Sequence, residues 1–446
     1  MTDTSREQWS NAFGFYAAAV GSAVGLGNMW RFSYLASEHG GAAFVALYLL
    51  VTAVVALPVL LAELVVGRGA GKSAVLALAH YGGTAWKPLG ALFVATGFLI
   101  LAYYSVIAGW TLRYAGESLL VGFPDDPGAH FAAMSQGFPA FLFHLGVMGL
   151  TIGIVASGVT KGIERVSVVA MPLLFLIVCG IALYAATLDG GAEGYGYYLN
   201  LDVQNVFSMD VLVAAAGQAF FSLSLGMGAM LTFASYLSRE TNLPRQAVAI
   251  ASSDFGVAFV AGLMVFPIIF ALGMEGDVRE STLGALFVAL PKAFAHMGAA
   301  GRVVGVLFFL TLVIGALTSA ISLLEVVVAA TVDGLGWPRP RAAVVTGLAI
   351  AALGAGAAWS LAVLDVMDQV ANNLFLLFGG LALALFVGWR MPDAMHELEH
   401  GAGRVHWYFA WRALLRFVVP ALLALVLWHS VPATVENVRK LVAGGG

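Results

Sequence analysis

The sequence predicts an all-α, polytopic membrane protein, and three observations predict it. The 446-residue chain is 61% hydrophobic. Charged residues make up only 10% of it, against about 25% in a typical soluble protein. Mean hydropathy is +0.91. A soluble domain of this length would lack the polar residues to cover its surface, which excludes a soluble enzyme, a nucleic-acid binder and a disordered chain. The net charge of −4 leaves no basic surface for nucleic acid. The single cysteine, Cys179, sits in an apolar run and supplies neither a disulfide framework nor a metal cluster.

A helix that crosses a bilayer needs about 20 mostly apolar residues. Eleven stretches qualify: 12–37, 41–67, 88–121, 139–157, 163–187, 209–238, 246–274, 301–333, 341–360, 364–389 and 406–432. Met1 to Ser10 is polar, and a long glycine-rich run follows it without a short apolar core and cleavage site. The first span therefore reads as retained, not as a cleaved signal. The absence of any Asn-x-Ser/Thr sequon fits a bacterial protein.

Lys and Arg set the orientation. With the N-terminus inside, the cytoplasmic side holds Arg6, Arg68, Lys72, Lys87, Lys161, Arg165, Arg239, Arg245, Arg339, Arg341, Arg390, Arg404, Arg412 and Arg416. The outside holds Arg113, Arg279, Lys292, Arg302, Arg439 and Lys440, and Arg31 lies near the outer part of span 1. This bias predicts the N-terminus cytoplasmic and the C-terminus extracytoplasmic, in a bacterial inner (plasma) membrane. The loop 188–210 carries Asp189, Glu193, Asp202 and Asp210 but no Lys or Arg, and 275–300 is long enough for a short helical hairpin.

Two spans should not be continuous. Span 1 contains Gly21-Ser22-Ala23-Val24-Gly25-Leu26-Gly27-Asn28, and span 6 contains Ser222-Leu223-Ser224-Leu225-Gly226-Met227-Gly228. Each glycine costs about 1 kcal/mol relative to alanine within a helix. Close helix packing by small residues would account for one such cluster. Two clusters five spans apart favour unwinding, which at membrane depth survives only around an enclosed cavity. Spans 1–5 and 6–10 then form two inverted halves, each opened by a broken helix, as in alternating-access transporters. The predicted organisation is a cytoplasmic N-terminal segment (1–11), a first five-helix repeat (12–187) and an extracellular loop (188–208). A second repeat (209–389), a cytoplasmic linker (390–405) and an eleventh helix with the C-terminus (406–446) complete it.

These residues resemble the neurotransmitter:sodium symporter family, which has the leucine-transporter fold. The likeness runs from Arg6-Glu7-Gln8-Trp9 through Gly21 to Phe32, Tyr103-Tyr104, Gly217 to Gly226, and Leu317-Thr318-Ser319. It covers nearly the whole chain and implies a bacterial eleven-helix amino-acid transporter with a 5+5 inverted repeat plus helix 11. Family members couple sodium entry to uptake of amino acids or amines.

The resemblance implies two Na+ sites, built from the oxygen ligands that a hard cation prefers. The first would use Ala23, Asn28, Ser222 and Asp254, with the substrate carboxylate. The second would use carbonyls of Gly21, Val24 and Gly315 and the hydroxyls of Thr318 and Ser319. Helical spacing puts both hydroxyls on the face of Gly315, although such hydroxyls also back-bond to helix carbonyls. Chloride-using relatives carry Asn at the position of Asp254 and Ser at that of Ala258. A fixed carboxylate here predicts that no chloride is needed, and it can take a proton once sodium leaves.

The resemblance places the substrate between spans 1, 3, 6 and 8. Tyr104, Leu26 and Gly27 would hold its carboxylate, and carbonyls of Ala23, Phe221 and Ser224 its amine. Ile100, Phe221, Met227, Leu323, Ser22 and Ser319 would surround its side chain, beside Ser222. Gly25 stands where amine-transporting relatives have aspartate, so the substrate should bring its own carboxylate. The apolar lining favours hydrophobic L-amino acids; alanine or glycine is the alternative, and an ion channel the alternative of another class. Arg31 and Asp368 match the outer gating pair. Arg6 and Asp333 match the inner pair, supported by Trp9, Ser235, Tyr236 and Glu325. Asp365 should face the outer vestibule, and Glu63 should be a buried hydrogen-bond partner. The histidines do not gather at the breaks, and His396 with His400 reads as solvated. No catalytic residue, nucleic-acid partner or obligate protein partner is expected; the partners are a small amino acid and the bilayer.

Overall fold

The computed structural model describes residues 7–201, 208–274 and 285–444. In chain order its membrane-scale helices are α1 (Ala12–Ala23), α2 (Phe32–Glu38), α3 (Ala42–Ala70), α4 (Thr84–Leu120), α5 (Gly137–Ala156), α6 (Val159–Ala185), α7 (Met209–Ser222), α8 (Ala229–Ala234), α9 (Leu243–Ala271), α10 (Gly298–Leu335), α11 (Arg339–Trp359), α12 (Leu361–Arg390) and α13 (Tyr408–Lys440). Among the described residues nine of these are long and apolar enough to cross a membrane alone. The pairs α1/α2 and α7/α8 make the two interrupted passes, giving the eleven expected. No strand is present among the described residues, only an isolated bridge between Gly41 and Leu201.

Local chemistry sets where helices begin and end. The Asn11 side chain accepts the Gly14 N–H at 2.9 Å at the start of α1, and Asn242 accepts that of Arg245 at 2.9 Å at the start of α9. α3 ends at Gly71 and α10 at Gly336, both left-handed. The helix Gly191–Tyr198 lies on α9 at one end of the bundle. There Gly41 (φ +60°) passes so close that a Cβ would lie 2.8 Å from the Tyr197 carbonyl oxygen. Residues 275–284 of the expected hairpin lie outside the described residues; Leu286–His296 is helical.

The burial pattern is that of a protein solvated by lipid. α10 packs on α4, α1 and α6 at the centre of the bundle. Asn28, Glu63, Gln218, Asp254 and Glu325 are wholly buried, whereas Leu176, Leu183, Phe417 and Trp428 face outward.

Candidate substrate and ion site

The two breaks fall where the glycines are. α1 stops at Ala23; Val24 is extended (φ −79°, ψ 102°), and helix resumes as a π-turn over Gly27–Arg31. Between α7 and α8 the chain turns through Ser224 (φ +53°), Gly226 (φ +75°) and Gly228 (φ +74°). A Cβ on Gly226 would lie 2.2 Å from the Leu376 carbonyl oxygen, so no larger residue fits. Ser224 is the one non-glycine held left-handed among the described residues, a conformation costing about 1–3 kcal/mol. Its hydroxyl donates to the Ser22 carbonyl at 2.8 Å and ties one break to the other. Glu63 serves the backbone freed at the second break: its carboxylate accepts the N–H groups of Gly226 at 2.8 Å and Leu231 at 3.1 Å.

The breaks face one narrow cavity. Each residue assigned above to the substrate lines it, and Asn28 does too. Ser22, Ala23, Gly25, Leu26 and Gly27 come from the first break, and Phe221, Ser222, Ser224 and Met227 from the second. Ile100 and Tyr104 come from α4, Ser319 and Leu323 from α10. The Tyr104 hydroxyl lies beside Ser319 and the Leu26 backbone. A Cβ on Gly25 would lie 2.8 Å from Ser319 Oγ and 3.0 Å from the Tyr104 hydroxyl. An aspartate at position 25 would fill the polar end of the cavity.

Beside the cavity lies an oxygen cluster around Asp254, which is completely buried. Asn28 Nδ2 donates to its Oδ1 at 2.7 Å, and Ser222 Oγ lies 2.8 and 2.9 Å from its two oxygens. The Tyr48 hydroxyl donates at 3.4 Å. Among the described residues no Lys, Arg or His pairs with this carboxylate. A buried carboxylate with no basic side chain on it, among a neutral amide and two hydroxyls that could turn oxygen toward it, fits a bound monovalent cation.

A second cluster lies where α10 meets α1. Ser319 Oγ is 3.4 Å from the Gly21 carbonyl and 3.3 Å from that of Ser22. Thr318 donates to the carbonyls of Ile314 and Gly315, at 3.0 and 3.1 Å, as the back-bonding alternative describes. Donation uses the hydroxyl proton and leaves oxygen lone pairs for a cation. A Cβ on Gly315 would sit 3.3 Å from the Val24 carbonyl oxygen, so that carbonyl belongs to the same cluster.

The residues matched to the two gates are held differently. In the inner set Trp9 Nε1 donates to the Phe233 carbonyl at 2.8 Å, and the Trp9 N–H donates to Tyr236 at 3.2 Å. The Tyr236 hydroxyl meets Glu325 Oε1 at 2.5 Å, and Arg339 clamps both Glu325 oxygens at 2.7 Å. Asp333 accepts the Ser73 N–H at 2.6 Å; Arg6 lies outside the described residues. In the outer set the Arg31 guanidinium stacks over Phe221, 5.3 Å from the ring centroid. Arg31 and Asp368 do not approach within 4.0 Å but act on each other electrostatically. Asp368 accepts Asn372 Nδ2 at 2.7 Å, and Asp365 pairs with Gln369 at 3.0 Å.

Sequence reasoning missed several partners. In the sequence Arg339 is only a topology charge, yet it bridges Glu325, at 2.7 Å, to Glu7, at 3.3 Å. Glu164 receives Ser10 through both the N–H, at 3.0 Å, and the hydroxyl. Arg68 is buried against Glu397 at 2.6 Å and the Thr241 carbonyl. Ser322 meets Ser22 at 2.7 Å. Arg68 lies one residue past the predicted span 41–67, where a topology charge explained it; the helix runs on to Ala70 and buries it, so it needs a partner. His396 and His400 meet edge to face, and no metal-binding group of side chains occurs among the described residues.

Paired helix breaks in two five-pass halves, meeting at an enclosed cavity, define a secondary transporter of the alternating-access kind. Comparison with known proteins gives the lineage. The chain matches the Sodium:neurotransmitter symporter family over residues 6–133 and 140–440, and it belongs to that family. It is 35% identical to the uncharacterised sodium-dependent transporter YhdH of Bacillus subtilis, over 97% of this chain and 99% of that one. Identity to a sodium-dependent transporter of Methanocaldococcus jannaschii is 32%, over 96% of this chain and 91% of the relative. The crystal structure of MhsT in complex with L-phenylalanine superposes with a TM-score of 0.87 at 39% identity, over 95% of this chain and 99% of MhsT. The protein is therefore a sodium-dependent symporter with the leucine-transporter fold, and not an enzyme.

Proposed function

We propose that the protein carries hydrophobic L-amino acids into a bacterial cell with sodium, without chloride, through a plasma membrane in which its N-terminus is cytoplasmic and its C-terminus outside. The observation that carries this reading is the position of Asp254. An uncompensated carboxylate stands beside an apolar cavity that has a polar end and no acid of its own at Gly25.

One sodium would take Ala23, Asn28, Ser222 and Asp254 together with the substrate carboxylate. The other would take Gly21, Val24, Gly315, Thr318 and Ser319. The substrate carboxylate would meet Tyr104, Leu26 and Gly27, leaving Ile100, Phe221, Met227 and Leu323 to its side chain. Sodium and substrate then share ligands, so each raises the other's affinity. Bringing Arg31 to Asp368 would close the outer side over Phe221. Release of the second sodium would loosen α1 and free the inner contacts of Arg6, Asp333 and Tyr236. The complex of MhsT with L-phenylalanine supports an aromatic-sized substrate.

The test is uptake of labelled amino acids into proteoliposomes under an imposed sodium gradient. Leucine and phenylalanine should accumulate saturably, with L over D. Replacing chloride with gluconate should change the rate less than twofold. Accumulation unaffected by replacing Na+ with K+, or a several-fold fall in gluconate, would defeat the reading; preference for alanine or glycine would revise the substrate.

A further inference from the structure

We infer that two serine hydroxyls lining the side-chain end of the cavity, held by a third behind them, make it an acceptor-only surface, selecting substrates whose side chains carry a hydrogen-bond donor. This rests on the amino-acid reading above and narrows it.

Position comes first. Tyr104 and Ser319 meet at the end of the cavity with the Leu26 backbone. Ile100 is one turn away from Tyr104 along α4, and Leu323 is one turn away from Ser319 along α10. Both line the cavity, so they mark its other end. Ser322 precedes Leu323, and Ser22 and Ser224 reach the same level from the two breaks.

Proton accounting follows. The Ser224 hydroxyl donates to the Ser22 carbonyl at 2.8 Å, and that of Ser322 to the Ser319 carbonyl at 2.8 Å. The Ser22 hydroxyl donates to Ser322 Oγ at 2.7 Å, with Ser224 Oγ the poorer alternative at 3.2 Å. Each hydroxyl has one proton, and all three are committed within the protein. Ser22 Oγ accepts from no described residue. Ser22 and Ser224 both line the cavity, so what they offer a substrate is lone pairs. The neighbours Ile100, Met227 and Leu323 offer no polar group. A phenol O–H or an indole N–H finds an acceptor there. A carbonyl or carboxylate at the same place meets only other acceptors and loses its water.

Ser322 does not line the cavity; it acts through Ser22 by holding that proton away, and is a positioning residue. In Ser322→Ala the Ser22 proton keeps only the poorer acceptor, Ser224 Oγ at 3.2 Å, so it turns into the cavity more readily and donor selectivity should fall.

The experiment is competition against labelled leucine in sodium-driven proteoliposomes. Tyrosine is compared with phenylalanine, and tryptophan with 1-methyltryptophan, which lacks the indole N–H. The wild type should favour the donor-bearing member of each pair by about fivefold in half-inhibiting concentration. Ser322→Ala should bring both ratios to within about twofold of unity, and Ser322→Thr should retain the preference. If Ser322→Ala does not transport, the same ratios are read from displacement of leucine in detergent. Wild-type ratios near one, or ratios unchanged in Ser322→Ala, overturn the inference while leaving the symport reading intact. Failure of leucine to drive or compete for sodium-dependent uptake condemns the symport reading instead.

Discussion

Glu63 and Asp254 are both carboxylates with no exposed surface, both stand at a helix break, and neither pairs with a cation among the described residues. Their surroundings differ in kind. Glu63 receives backbone N–H groups from Gly226, Met230 and Leu231 at the start of α8. Those donors cannot rotate away, and the peptide dipoles there favour a negative charge. Asp254 receives side chains: Asn28, Ser222 and Tyr48. An amide and two hydroxyls can reorient and offer oxygen to a cation, which backbone N–H groups never can. One carboxylate replaces missing helix bonds; the other is set among groups able to share a transient ion.

The largest effect should come from Glu63→Gln. The amide keeps the shape but points N–H at N–H, leaving at least one buried donor without an acceptor at about 1–3 kcal/mol. For a marginally stable fold this is a heavy loss. We expect poor yield and a fall of several degrees in thermal stability by detergent size-exclusion chromatography. Carrier that survives should have a sodium half-saturation within about twofold of wild type. A stable Glu63→Gln protein with weakened sodium dependence would erase the distinction between the two sites.

Asp254→Asn should behave the other way round. Its shape and its bonds to Ser222 and Asn28 can be rebuilt with an amide, so stability should change little. Removing a fixed charge from beside a buried cation should raise the sodium half-saturation about tenfold or more, since tenfold corresponds to only about 1.4 kcal/mol. Part of the loss should return when chloride replaces gluconate, because a mobile anion then supplies the missing charge. No change in sodium half-saturation would remove Asp254 from the ion site.

The asymmetry between these carboxylates was partly legible in the sequence. Both glycine clusters, and hence both breaks, could be read from composition, because glycine repeated at mid-membrane has few explanations. The cavity lining followed from resemblance, residue by residue. What could not be read was which donor each buried acid meets. Glu63 is 163 residues from Gly226 and Asp254 is 226 from Asn28, and periodicity within one helix carries no information about contacts at that separation. The same limit hid Arg339 on Glu325 and Ser322 on Ser22. Arg339 sits at a helix start, where a positive charge already had a sufficient explanation as a topology signal.

Ser222→Ala should be milder than Asp254→Asn. Ser222 Oγ donates to the Asp254 carboxylate and accepts Asn28 Nδ2 at 3.0 Å, so its loss frees two partners without removing charge. Sodium half-saturation should rise about three- to fivefold, with the leucine half-saturation rising in parallel because the two ligands share this corner of the cavity. A change in leucine affinity alone would assign Ser222 to the substrate and leave Asn28 and Asp254 to the ion.

Tyr48→Phe should have the smallest effect. The hydroxyl is 3.4 Å from Asp254 Oδ2, at the long limit of a hydrogen bond, and its ring is fixed independently by packing on Phe32 and Phe44. The expected rise in sodium half-saturation is about twofold or less. In an Asp254→Asn background it should vanish, since a contact that acts only through the carboxylate has nothing left to act on. A larger effect that persists in that background would mean that Tyr48 has a role of its own, most simply as a donor to an anion, and chloride dependence measured in the double variant would decide it.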